Sequence, residues 1–100
     1  MRQDKGALWE NFLISERNKF NAYSGRFANT YFWRTHDQAE IDYIEETNGL
    51  LHAFEFKWQD KELKFPASFL AAYPNHQTQL ISRNNFEGFV GLTWFAILNG

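Results

Sequence analysis

Cysteine is absent from the 100 residues, and proline occurs only twice. Disulfides, thiolate metal sites and cysteine nucleophiles are thereby excluded, and the composition is compatible with a reducing compartment, so we expect a cytoplasmic protein. Long apolar runs are missing too. The start Met1-Arg2-Gln3-Asp4-Lys5-Gly6 has no signal-peptide apolar region, and no run reaches the ~20 residues that a membrane-spanning helix needs. Nor is there a basic excess: ten Lys and Arg stand against twelve Asp and Glu, a formal net charge of −2, so no global field draws the chain to nucleic acid. Such binding would need a local patch or a partner. No glycine-rich run has phosphate-loop or dinucleotide spacing, and Ser15, Ser24, Ser68 and Ser82 lie in no nucleophile-elbow sequence.

What is present is apolar and aromatic. A chain that is 44% hydrophobic and 19% aromatic can build one domain with a real core over residues 1–100, but not two. Its organising stretch is Leu51-His52-Ala53-Phe54-Glu55-Phe56-Lys57-Trp58 together with Glu40-Ile41-Asp42-Tyr43-Ile44, both of which alternate as strands do. Asn48-Gly49 between them tolerates the positive φ of a type I′ turn, so an antiparallel hairpin is predicted. A two-residue turn there sets Asp42 across from Glu55 and Glu40 across from Lys57 on one face. Ile41, Tyr43, Phe54, Phe56 and Trp58 fall on the other, the expected core side. Ile44, Leu51 and Ala53 share the charged face nearer the turn, which predicts partial cover there as well.

Around this hairpin the chain reads in order. Asp4 to Tyr23 has helical periodicity, with Trp9, Phe12, Leu13, Glu16, Phe20 and Tyr23 as the stripe and Glu10 at its edge. Ser24-Gly25 ends that helix, and Thr30-Tyr31-Phe32-Trp33-Arg34-Thr35 reads as a first strand, making a meander with the hairpin. His36-Asp37 reads as turn polarity. Gln59 to Lys64 is a charged loop, Pro66 opens a short helix that Pro74 stops, and Gln77 to Ser82 reads as a fourth strand running parallel to its neighbour. The apolar extension over residues 87–100 is too short to span a bilayer. Together with Phe86 it is expected to pack against its own sheet or to make the chain a homo-oligomer.

Like charges opposed on a sheet are destabilising, so Asp42 and Glu55 call for an offsetting cation, either Lys57 or a divalent metal. Against this stands the plainer reading of a solvated polar face with a Glu40–Lys57 pair worth under ~1 kcal/mol. Lys57, Lys61 and Lys64 equally read as a phosphate-contacting edge or as a solvated loop.

The residues Gly6-Ala7-Leu8-Trp9-Glu10-Asn11, Phe32-Trp33-Arg34, Glu40-Ile41-Asp42-Tyr43, Phe54-Glu55-Phe56-Lys57-Trp58, Phe65-Pro66 and Tyr73-Pro74 carry a resemblance over roughly residues 4–86. The chain resembles the PD-(D/E)xK nuclease-like C-terminal domain, of unknown function, of prokaryotic AAA+-type ATPases. Ile41 stands where the signature's name has proline, and the run after Phe86 departs from the family. The resemblance implies an α/β (α+β), restriction-endonuclease-like α-β-β-β-α-β core with a mixed four-stranded sheet. It further implies Asp42, Glu55 and Glu10 as ligands for Mg2+ or Mn2+ and Lys57 as the catalytic cation; Lys61 and Lys64 are substrate-contacting candidates from the charged loop alone. DNA and an ATPase domain absent from this chain are the implied partners. Two functions stay open: a metal-dependent nuclease, and a non-catalytic interaction module that keeps the fold.

Overall fold

The computed structural model describes residues 2–36, 39–60, 62 and 64–92, with the side chains of the first helix from Gly6 onward. Its elements are α1 (Arg2–Tyr23), β1 (Asn29–Arg34), β2 (Glu40–Thr47), β3 (Leu50–Phe56), α2 (Ala67–Ala72), β4 (His76–Ile81) and α3 (Phe86–Val90). The expected α-β-β-β-α-β order is present, with α3 following it. The strands lie in the order β1-β2-β3-β4, the first three antiparallel and β4 parallel to β3.

Hairpin chemistry sets the register. Asn48 and Gly49 have φ of 53° and 84°, the left-handed conformation that a two-residue turn demands, and Thr47↔Leu50 through Tyr43↔Phe54 pair accordingly. The inner strands are covered on both faces, giving three layers. Under α1 and α3 lie Leu13, Tyr43, Phe54, Phe56, Ile81, Phe89 and Val90. On the opposite face α2 drives Phe69, fully buried, onto Ile44 and Ala53, which is the predicted cover over the turn end of the hairpin. Pro66 precedes α2 as its N-cap, one position earlier than expected from its fixed φ.

Ile41 departs from its expected place beside Tyr43. It packs with Ile44, Ala53 and Phe69 on the α2 side. The cause is a bulge: Tyr31 pairs with Ile44 but Trp33 with Ile41, so two residues of β2, Asp42 and Tyr43, oppose the single Phe32 of β1. An extra residue breaks strict alternation and re-aims the side chains around it. The α1 stripe differs from expectation as well. Phe12 and Tyr23 are exposed at 43% and 72%, while Arg17 and Asn21 turn inward behind Leu13 at helical four-residue spacing.

The apolar run beginning at Phe86 packs inward where it is described, with Phe89 and Val90 buried under α1; residues 93–98 lie outside the described residues. Gly91 ends α3 at φ 83°, and a Cβ there would penetrate the ring of Phe20. Gly91→Ala therefore meets both backbone strain and overlap, and should cost about 2 to 3 kcal/mol in urea unfolding. Gly88→Ala, on open space within the same helix, should be neutral or slightly stabilising.

Candidate functional site

The predicted site residues sit around the ends of β2 and β3 nearest the start of α1. Glu10 is carried over the sheet by Trp9, which meets the edge of Trp58 at 4.9 Å and of Phe86 at 5.2 Å. Thus the helix start is anchored to the segment leaving β3. Glu10 is half-buried, and its carboxyl is raised above the usual range. Burial is the largest cause, followed by the negative charges of Asp42 and Glu55; Lys57 opposes them and Glu40 adds a little. All four groups therefore act on Glu10 electrostatically.

Asp42 is exposed and sits in the β2 bulge. The Asp42–Glu55 pairing follows next in the hairpin register, but ladder partners run only as far as Tyr43↔Phe54, and the bulge intervenes. Glu55, half-buried between the core residues Phe54 and Phe56, is joined by Lys57 Nζ at 3.3 Å. Lys57 itself stays tied to the sheet, its backbone N–H donating to Ile81 O at 3.0 Å. Glu40 pairs instead with Arg34, at 3.3 Å on the surface. Lys64 is exposed, and Lys61 lies outside the described residues.

Carboxylate oxygens are the donor type that Mg2+ and Mn2+ take, so the chemistry of Glu10, Asp42 and Glu55 fits a hard divalent cation. Their spacing is looser than their charges suggest. Among the described residues, no three His, Asp or Glu side chains stand together as a group that could hold an ion as they lie.

The loop after β3 is knotted to β4's end. Ser82, fully buried, donates its hydroxyl to Asp60 Oδ1 at 2.5 Å, and Asn84 Nδ2 reaches Asp60 Oδ2 at 2.7 Å. Those two hydrogen bonds, Ser82 first, hold the Asp60 carboxyl below its ordinary range. They also fix where the chain goes after Lys57.

The most buried charges lie elsewhere and escaped the sequence reading. Glu45, 1% exposed, accepts from Arg17 Nε at 2.8 Å and Nη2 at 2.9 Å, from Asn21 Nδ2 at 3.0 Å and from the Tyr43 hydroxyl at 2.7 Å. Arg17 Nη1 donates in addition to the carbonyl of Phe89 at 2.9 Å, and the guanidinium lies over that residue's ring. Burial acts to raise the Glu45 carboxyl, but the Arg17 hydrogen bonds and then that of Tyr43 outweigh it, leaving a pKa of about 2. Tyr43 is pushed up, by burial and then by Glu45. A signal existed: Arg17 and Asn21 follow Leu13 at intervals of four, and Glu45 follows Tyr43 by two on the core side of the strand.

A mixed four-stranded sheet with helices on both faces makes this an α+β domain. The family described as a domain of unknown function (DUF4143) matches the chain over residues 5–92, and the chain belongs to that family. No match was found among curated proteins, and none among solved structures. Among the described residues, no helix is long and apolar enough to cross a membrane.

Two measurements check this geometry. If Asp42 is the strongest charge acting on Glu10, Asp42→Asn should move the Glu10 carboxyl back toward its ordinary pKa in an NMR titration. An unmoved titration would place Asp42 away from Glu10. Stability should also fall with acid in two stages. Burial lowers the His52 pKa below 6.5, so the unfolded chain takes that proton first and stability declines below pH 6.5. Glu45, depressed from 4.5 to about 2, contributes fully above the unfolded value and loses its contribution as pH falls through that window. Melting temperatures followed from pH 8 to 2 should show both stages. At neutral pH, Arg17→Met leaves the buried Glu45 with the more distant Arg26, at 3.8 Å, and should cost about 3 kcal/mol.

Proposed function

We propose that this chain is a metal-dependent, PD-(D/E)xK nuclease-like domain acting on DNA phosphodiesters in the cytoplasm, as a part or relative of an AAA+-type ATPase. The observation that carries the reading is that Lys57 lies 3.3 Å from Glu55, while Asp42 and Glu55, from two strands, both act on the half-buried Glu10 of α1. Acids within electrostatic reach of one another are costly without an offsetting positive charge. Asp42 and Glu55 would hold Mg2+ or Mn2+, with Glu10 binding or orienting through water. When bound, such an ion supplies an activated water and neutralises phosphate charge.

The chain's own residues have distinct parts. Glu10 has a raised carboxyl, because burial and then the charges of Asp42 and Glu55 disfavour its ionised form. Lys57, now paired with Glu55, offsets charge on the phosphate and orients the attacking water. The backbone bond from Lys57 to Ile81 and the Asp60–Ser82 knot keep that lysine's main chain in place. Lys64, exposed before α2, would contact the substrate; the same role for Lys61 rests on its place in the sequence.

A second reading has its own support. The looser spacing of the acids and the net charge of −2 favour a non-catalytic interaction module of an ATPase that keeps the fold. Metal titration with and without duplex DNA separates the two. Saturating Mg2+ or Mn2+ should raise the melting temperature by mass action, and Asp42→Ala should abolish the rise. Lys57→Ala should leave that rise largely intact yet cost cleavage by the ~10² to 10³ typical of losing one transition-state stabilising group. An unchanged melting curve, or metal binding with no DNA or RNA cut at any salt, decides for the interaction module.

A further inference from the structure

A cleft of about 380 Å3 lies on the α2 side of the sheet, away from the acidic cluster. Tyr31 and Trp33 from β1 and Phe69 and Tyr73 from the α2 region form its aromatic walls, Phe32 borders it between the first two, and Glu46 is the one charged group among its described lining residues. The walls are braced: Trp33 meets the edge of Phe69 at 5.6 Å, and Phe69 lies 5.2 Å from Tyr73. At the rim the side chains remain open to solvent, Tyr31 at 53% and Phe32 at 72%.

Glu46 is held as a fixed anion. Asn29 Nδ2 donates to its Oε1 at 2.8 Å and the Gly49 N–H to its Oε2 at 2.9 Å, and these bonds, Asn29 first, keep the carboxyl below its usual range. Each bond takes one lone pair of an oxygen, which leaves each oxygen another to offer. Aromatic faces are negative and attract cations lying within about 6 Å of the ring centre. Braced aromatic walls, one oriented carboxylate and no lysine or arginine among the described lining residues make a cleft complementary to a cation on an apolar stem. Guanidinium suits it better than ammonium, since it is planar, stacks on rings and is more weakly hydrated.

The carrier follows from the topology. Among the described residues β1 is an edge strand, paired with β2 alone, and its outer side presents main-chain donors and acceptors to an added strand. A residue on such a strand would send a long side chain across Tyr31 toward Glu46, one strand further in. We propose that this cleft binds an arginine side chain carried on an extended segment of a partner protein that lies along β1. This assignment is independent of the nuclease reading, since it shares no residue with Glu10, Asp42, Glu55 or Lys57.

The test uses the full chain and a short capped peptide with one arginine between valines, compared with the same peptide carrying neutral citrulline. Titration should shift the Trp33 indole and the β1 amide signals in NMR, with the arginine peptide binding about ten-fold more tightly. Glu46→Gln should remove the difference between the peptides. Tyr31→Ala, at an exposed side chain on the cleft face of β1, should weaken the arginine peptide several-fold with the melting temperature little changed. Equal binding of the two peptides, shifts elsewhere than β1, no shift at millimolar peptide, or displacement of the peptide by a single-stranded oligonucleotide stacked on the same rings would each overturn the proposal.

Discussion

Taking a carboxylate out of water costs several kcal/mol unless its partners are complete, and Glu45 is 1% exposed in the layer between α1 and the sheet. The rest of the structure is arranged to meet that requirement. Arg17 reaches it from the helix, Asn21 from one turn further on, and Tyr43 from two residues back along β2. The remaining guanidinium nitrogen is spent on Phe89 O, so α1, β2 and α3 meet at a single arginine. A network of this kind tolerates only one rotation and one depth of the helix, because sliding α1 by one residue would break every bond in it. Apolar contacts alone would permit more freedom.

That restriction is what places the acidic cluster. Glu10 and Arg17 lie seven residues apart, two turns along nearly the same side of α1, so fixing Arg17 on Glu45 also fixes where Glu10 overhangs the sheet. The edge contact of Trp9 with Trp58 secures the same end from the strand side. The bulge at Asp42 completes the arrangement by adding one residue to β2, and Asp42 becomes the largest charge acting on Glu10. The two faces of the sheet then divide their work. One carries α1, α3 and the buried network; the other carries α2, Phe69 and the aromatic cleft.

Much of this was legible because local rules sufficed. Asn48-Gly49 has one economical backbone conformation between two alternating runs, and the hairpin register follows from it. Pro66 and Pro74 bracket α2 since neither can continue a helix as an interior residue. The four acidic and basic candidate positions, Glu10, Asp42, Glu55 and Lys57, could be named from residue type and spacing. The bulge could not be read, since no residue in Ile41-Asp42-Tyr43 demands one; it arises from how β1 meets β2. For the same reason Ile41 was expected on the wrong face.

The sequence by itself determined the order of elements, the hairpin and its turn, and the set of side chains available for chemistry, because turn conformation and hydrophobic period depend on neighbours along the chain. Tertiary structure alone decided that Arg17 and Asn21, rather than Phe12 and Tyr23, face the sheet. A helix stripe read by hydropathy puts polar residues outside, and only a partner 28 residues away, Glu45 already buried on β2, makes the inward arginine favourable. It likewise decided that Tyr31, Trp33, Phe69, Tyr73 and Glu46, scattered over three elements and a loop, enclose one cleft. Proximity of that kind is a property of the packed layers and has no trace in spacing.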